Sequence, residues 1–340
     1  MNSVYDYNIN IAMDFTPYKL KSWVISEHLD NDVLALNPRG SYYLSNEISS
    51  NRIKSSKLGG LSRNLNAINL LQAEVDKINW FWWSENPNAI FILEQNVDKI
   101  DWGQLSKNPN GIKLLEQNQD KINWTELSAN PKAIKLLEAN IDKISWMNLS
   151  LNPNAIDILE KNQDKIDWFW LSENPNAISI LEQNVDKICW HSLSKNPNAF
   201  HLLEMNRDKI SWDELSTNPN PKAIKLLEEN IEKISWARLT SNQNAVNLLA
   251  KYKNYINWDI LSLNVNAENL IKDNLDKIDW FWLSQNPVIF EIDYALLKEQ
   301  ITVYKEELIQ NVFHPERVWY YLNTYNYLIG NDEYERKCDY

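Results

Sequence analysis

The chain has 340 residues, with 46 acidic against 34 basic side chains, a net charge of −12 and 44% apolar residues. That apolar share excludes a disordered chain. The acidic balance disfavours a nucleic-acid backbone as the main partner, and two cysteines, Cys189 and Cys338, are too few for a disulfide framework or a metal cluster. The opening residues lack the apolar core of a signal peptide, and no stretch approaches the ~18 consecutive apolar residues of a membrane span, so a soluble protein of a reducing compartment is expected.

In chain order, residues 1–57 fit no period well. Trp23, Leu36-Asn37-Pro38 and Tyr42-Tyr43-Leu44 look like eroded fragments of a repeating unit, and the segment is read as a degenerate N-terminal cap. From residue 58 to 286 a period governs the chain. Trp80, Trp102, Trp124, Trp146, Trp168, Trp190 and Trp212 recur every 22 residues; Trp236 comes after 24, and Trp258 and Trp280 return to 22. An earlier, degenerate copy carries Leu58 in the tryptophan position. A fixed period of this length marks a solenoid of about ten stacked units.

Each unit reads as two short helices. The residue before the tryptophan is Asn, Asp or Ser in every copy except Cys189, which suits a helix N-cap. Glu126 after Asn123 and Glu214 after Ser211 complete the pattern of a capping box. An Asn-Pro step such as Asn108-Pro109 ends this helix, and the same Asn caps the next, with proline at its first position. On the second helix Ile112, Leu114 and Leu115 share a face; Trp102, Leu105 and Ile100 are expected to meet them inside. The apolar surface of one unit is too small to offset the ordering of its backbone, so stacking must supply the rest. A leucine-rich repeat is the rival reading, since L-S-x-N resembles its signature, but the helical spacing of W-x-x-L and the paired caps favour all-α. Beyond Pro287 the period stops. A helical stripe over Leu297, Ile301, Tyr304 and Leu308, and a second helix after Pro315 with Val318, Leu322 and Tyr325, make residues 287–340 a helical C-terminal cap.

Chemistry-bearing groups are sparse. His28, His191, His201 and His314 lie in different units or caps, no pair has metal-ligand spacing, and six glycines make no phosphate loop. No catalytic, metal or cofactor residue is assigned, and the chain is expected not to be an enzyme. The periodic tryptophans are expected in the core. The asparagines at 96, 118, 140 and onward are read as a ladder satisfying link backbone groups, and the Asp-Lys pairs of the links as a solvated stripe. The two residues after each tryptophan should face outward, and in three units they are paired aromatics: Phe81 and Trp82, Phe169 and Trp170, Phe281 and Trp282. Exposed aromatics of this kind are the candidate protein-binding residues, although two of the pairs also belong to a duplicated block, residues 81–102 and 169–190.

The units DKIDW, LSENPNAI and LLEQN, and the closing stretch FEIDYALLKEQITVYKEELIQNVFHPERVWYYL, resemble the tryptophan/asparagine-rich repeat proteins that giant DNA viruses of amoebae and algae encode in many copies. The resemblance spans about residues 58–325. It implies a viral protein of the host cytoplasm or the virion and carries no catalytic residues. The unit ending at Trp258 departs from the pattern, with AKYKNYINW in place of the acid and Asn. The expectation is a non-enzymatic scaffold binding a host or viral protein. A structural virion or assembly component is the alternative, and a helical RNA-binding repeat a weaker one.

Overall fold

The structure, a computed structural model, describes residues 16–49, 58–72 and 78–312. These belong to two compact units that divide between Glu291 and Ile292. The first is an all-α solenoid; among the described residues Tyr18–Leu20 and Phe290–Ile292 are the only strands, and they pair with each other. The leucine-rich-repeat alternative, which needs a strand in every unit, is thereby excluded.

One brick shows how sequence becomes structure. Asp101 accepts the Gln104 N–H at 2.9 Å and starts the helix Trp102–Lys107. Asn108 ends it in extended backbone and accepts the Asn110 N–H at 2.9 Å, turning the chain into the helix Ile112–Gln117. A single 3-10 turn, Gln119–Lys121, leads through Ile122 to the next brick. Leu105 and Leu115 are fully buried, with Leu114, Ile100 and Ile122 close behind. Each brick thus hides a short aliphatic column and leaves its two flanks to its neighbours.

Neighbours are joined by polar ladders as well as by the core. The buried Ser106 hydroxyl donates to the Trp102 carbonyl at 2.7 Å and accepts the Asn123 N–H of the next brick at 3.1 Å. Asn130 donates to the carbonyls of Ser106 and Asn108, both at 3.0 Å, and Asn154 reaches the Pro131 carbonyl at 2.9 Å. The Asn-Pro asparagine therefore closes the turn that follows it with its oxygen and binds the preceding brick with its nitrogen. The expected side-chain cap is not made at Asn108, because the second helix of its brick begins only at Ile112, after Gly111. A buried amide used on both sides is what fixes the register of stacking.

Several readings of the sequence need correction. The periodic tryptophans are only half-buried: one face lies on the core and the other receives the lysine of the next link, as with Lys121, whose ammonium is 4.6 Å from the Trp102 ring centre. The link Asp-Lys pairs remain exposed, as a solvated stripe requires, and each such lysine in addition lies over an indole. In the aberrant unit Tyr255 takes the lysine's place and stacks on Trp236 at 4.6 Å. The asparagines at 96, 118 and onward form no ladder; Asn118 donates back to the Leu114 carbonyl of its own helix at 2.9 Å. The capping boxes do not close, because the N–H groups of Asn123 and Ser211 are already given to Ser106 and Ser194. Nor do Ser145, Ser211 and Ser235 cap with their side chains.

The N-terminal segment carries a brick of its own. Asp30 caps Asn31–Leu34 through the N–H groups of Asp32 and Val33, and Asn37-Pro38 turns the chain into the helix Gly40–Ser49. This brick sits against both ends of the array. Toward the last repeat, Asp30 donates its N–H to Ser284 Oγ at 2.9 Å, Asn37 donates to the carbonyls of Ser284 and Asn286 at 2.9 Å, and Arg39 reaches the Pro287 carbonyl at 3.2 Å. His28 takes the lysine's station, edge-on to Trp280 with ring centres 5.0 Å apart. Toward the first repeat, Asn64 donates to the carbonyls of Ala35 and Asn37 at 3.1 and 2.7 Å. The ladder of asparagines at 37, 64, 86, 108, 130, 152, 174, 196, 218, 242, 264 and 286 runs back into itself. Among its described residues the first compact unit is a closed circuit of twelve bricks: ten led by tryptophan, and two led by Asn31 and Leu58.

In the last brick the second helix is replaced by the strand Phe290–Ile292, whose Phe290 is fully buried and lies beside Tyr43. Lys21 pairs with Glu268 at 2.6 Å and Lys19 with Glu291 at 3.8 Å. Many successive first helices lie directly against one another, as from Trp80–Glu85 through to Trp190–Leu193, and Asn31–Leu34 lies likewise against Trp280–Gln285; among the described residues, successive second helices make no comparable contact. In a closed circuit the more tightly spaced layer is the inner one. The first helices form the inner wall. Of the second compact unit, the helix Tyr294–Val312 is described; the helix expected after Pro315, with Val318, Leu322 and Tyr325, lies outside the described residues, as do Cys338 and His314.

Candidate protein-binding face

The three aromatic pairs stand on the first turn of their helices because the cap residue holds that turn. Asp167 accepts the N–H groups of Phe169 and Trp170 at 3.1 and 3.3 Å, and Asp279 those of Phe281 and Trp282 at 2.8 and 3.2 Å. Asn79 reaches the Trp82 N–H at 3.5 Å. With Trp80, Trp168 and Trp280 turned to the core, the next two side chains are thrown onto the inner wall. Phe81, Phe169 and Phe281 are 43%, 42% and 47% exposed, and Trp282 is 40% exposed; Trp82 and Trp170 are half-buried.

Within each pair the rings meet edge to face, with centres 4.8, 5.1 and 5.1 Å apart. This geometry holds the phenylalanine upright against its tryptophan. The first pair has an additional partner: the Arg63 guanidinium of the preceding brick lies 3.9 Å from the Trp82 ring centre. Beside it a recess of about 400 Å³ is lined by Arg63, Leu65, Trp82, Glu85, Asn86 and Pro87. Three further apolar side chains lie on this wall, of which the sequence reading placed only Met147 outward and missed Leu151 and Leu263. Met147 and Leu151 are exposed one brick before Phe169, and Leu263 is exposed one brick before Phe281. Met147 occupies the phenylalanine position of its unit. Leu151 and Leu263 sit between the recurring Ser and Asn, a position that shares the outward direction of the aromatic ones and could have signalled them.

The wall also holds a charge cluster. Glu214 is 2% exposed, yet its carboxylate lies 2.7 Å from Arg238, 3.3 Å from Lys195 and 3.4 Å from His191, side chains drawn from neighbouring bricks. Lys195 also faces Glu173 at 3.8 Å, and Lys107 faces Glu126 at 3.7 Å. On the outer helices His201 meets Glu182 at 2.7 Å. Lys251 there donates to Glu228, and that hydrogen bond and the carboxylate's charge raise the lysine pKa above its ordinary value. Among the described residues no cluster of His, Cys, Asp and Glu has the geometry of a metal site, and no helix is long and apolar enough to cross a membrane. No protein-family model, curated protein or solved structure matches the chain.

Proposed function

We propose that the closed circuit is a non-enzymatic scaffold that holds a protein partner, host or viral, on its inner wall, and that it is made in the cytoplasm of a cell infected by a giant DNA virus. The viral source rests on the resemblance of the DKIDW and LSENPNAI units alone. The binding role rests on one observation: Phe81, Phe169, Phe281 and Trp282 remain exposed, 40–47% of each in solvent, on capped helices. Large aromatics so placed cost solvation and are the side chains that anchor protein interfaces.

The assembly-spacer alternative is less favoured, because a circuit without a free flank has no stacking face left to extend. RNA binding is less favoured because each base on the wall is already engaged, by Glu126, by Glu173 and Glu214, or by the Trp82 ring. The test is affinity purification from infected cells with the native chain and with a variant carrying alanine at all six aromatics, its fold checked by circular dichroism. Selective loss of one stoichiometric partner from the variant supports the scaffold. An unchanged set of partners removes the basis for it.

A further inference from the structure

We propose, resting on the protein-binding role of the inner wall, that the first helices enclose a channel that takes a single basic α-helix with apolar side chains on several sides, threaded through the circuit. The pairs at Phe81, Phe169 and Phe281 belong to the third, seventh and twelfth bricks, so around the closed circuit they stand four, five and three bricks apart. Side chains placed like this on an inner wall approach one axis from three directions. A flat partner surface outside the circuit touches none of them together. Twelve helices spaced about 8–10 Å apart make a circumference of about 100–120 Å. Subtracting helix walls of about 10–12 Å in diameter leaves an opening on the order of 20 Å. The projecting Phe–Trp pairs narrow it further, which suits one helix with its side chains.

Charge selects the sign of the occupant. On this wall Lys107 is paired with Glu126, Lys195 and Arg238 with Glu214, and Arg63 is stacked on Trp82. Glu85, Asp213 and Asp259 have no ion pair among the described residues, against the single stacked base Arg63, so the unpaired charge of the channel is on balance negative. A helix that presents leucine-like groups to the aromatic pairs and lysine or arginine between them satisfies both demands.

The test uses a dye-labelled synthetic Leu/Lys helix of about 20 residues, some 30 Å long, and its Leu/Glu counterpart. The chain is sealed beforehand: a Lys21→Cys/Glu268→Cys variant, with Cys189 and Cys338 changed to serine, is joined by a short bis-maleimide linker. Binding is read by fluorescence anisotropy. The Leu/Lys helix is expected to bind at least tenfold more tightly than the Leu/Glu helix, and the six-alanine variant to lose at least tenfold. When both ends of the Leu/Lys helix are fused to globular proteins wider than the channel, binding to the sealed circuit is expected to fall at least 100-fold. Equal binding of free and stoppered helices overturns threading but leaves the aromatic face as a binding surface. No binding of the Leu/Lys helix, or equal binding of Leu/Glu, overturns the proposal and leaves the scaffold to the purification experiment. Unchanged binding to the six-alanine variant removes the aromatic reading itself.

Discussion

Asn37 donates its side-chain amide to the carbonyls of Ser284 and Asn286, partners 247 and 249 residues further along the chain. Every other rung of this ladder joins bricks that are neighbours in sequence. This one joins the ends, and it repeats the geometry of Asn130 on Ser106 and Asn108 within 0.1 Å.

The closing junction has no covalent connection across it, so it is the place where the circuit opens. Asn37→Ala removes both bonds and leaves two buried carbonyls short of a donor, an effect of about 2–3 kcal/mol. Amide exchange at Leu34 and Ala35 should accelerate by on the order of 30–100-fold, while amides of the distant Trp146–Leu151 helix keep their protection. Because the freed flanks are complementary, the opened chain should also associate head to tail with rising concentration, read by light scattering. Equal protection loss in both regions would mean global unfolding instead, and would contradict a junction that opens by itself.

Gly40 marks the tightest point of that junction's brick. A Cβ there would lie 2.5 Å from the Leu34 carbonyl oxygen, a backbone atom that cannot swing aside. Alanine occupies the same station in other bricks, as at Ala89 and Ala133, both fully buried. Gly40→Ala should therefore cost about 1–3 kcal/mol through overpacking. Gly111→Ala meets the Leu105 side-chain tip first, at 2.8 Å, and should be close to neutral once that tip shifts. Denaturant midpoints of the two variants, compared side by side, check the difference.

The brick was legible in the sequence because its signals are local. The tryptophan period, the capping Asn and Asp, the Asn-Pro step and the aliphatic stripe each act within a few residues, and the helices Trp102–Lys107 and Ile112–Gln117 fall where they point. Closure was not legible. It depends on residues 28–40, where His28 replaces lysine, Asn31 replaces tryptophan, Ala35 replaces serine and Gly40 replaces alanine. Only Asp30, Leu34 and Asn37-Pro38 keep the pattern, and they keep the part that meets the last repeat. The half-burial of the tryptophans was hidden for a related reason. The lysine that covers each ring is contributed by the next brick, 19 residues on, and nothing local announces it.

Two asparagine series separate stacking from local capping. Asn152 holds the carbonyls of Ser128 and Asn130 at 3.0 and 3.1 Å in the buried interface and accepts the part-buried Asn154 N–H of its own turn. Asn162 makes one half-buried bond to Ile158 in its own helix. Asn152→Ala should cost about 3 kcal/mol or more, and Asn162→Ala about 1 kcal/mol. Chemical denaturation of both variants gives the comparison. If Asn162 proves the costlier loss, register is not set by the Asn-Pro ladder.

Glu214 and Arg238 give a prediction in which losing the half-exposed partner is worse than neutralising the buried one. Glu214 is almost wholly buried, whereas Arg238 is half in solvent. Removing the guanidinium leaves a buried carboxylate with Lys195 at 3.3 Å and His191 at 3.4 Å but without its closest partner at 2.7 Å. Arg238→Ala should therefore destabilise by about 2–4 kcal/mol, less than a fully orphaned buried charge because Lys195 remains. Glu214→Gln keeps the shape, drops the charge and lets the solvated bases relax, so it should cost about 1–2 kcal/mol. In the Glu214→Gln background Arg238→Ala should then add less than about 1 kcal/mol, because no buried charge remains to be stranded. A double-mutant cycle from thermal or urea unfolding measures this coupling. Simple additivity would mean that Arg238 packs on the wall without neutralising it, and the channel would then be more acidic than the pairing of its bases implies.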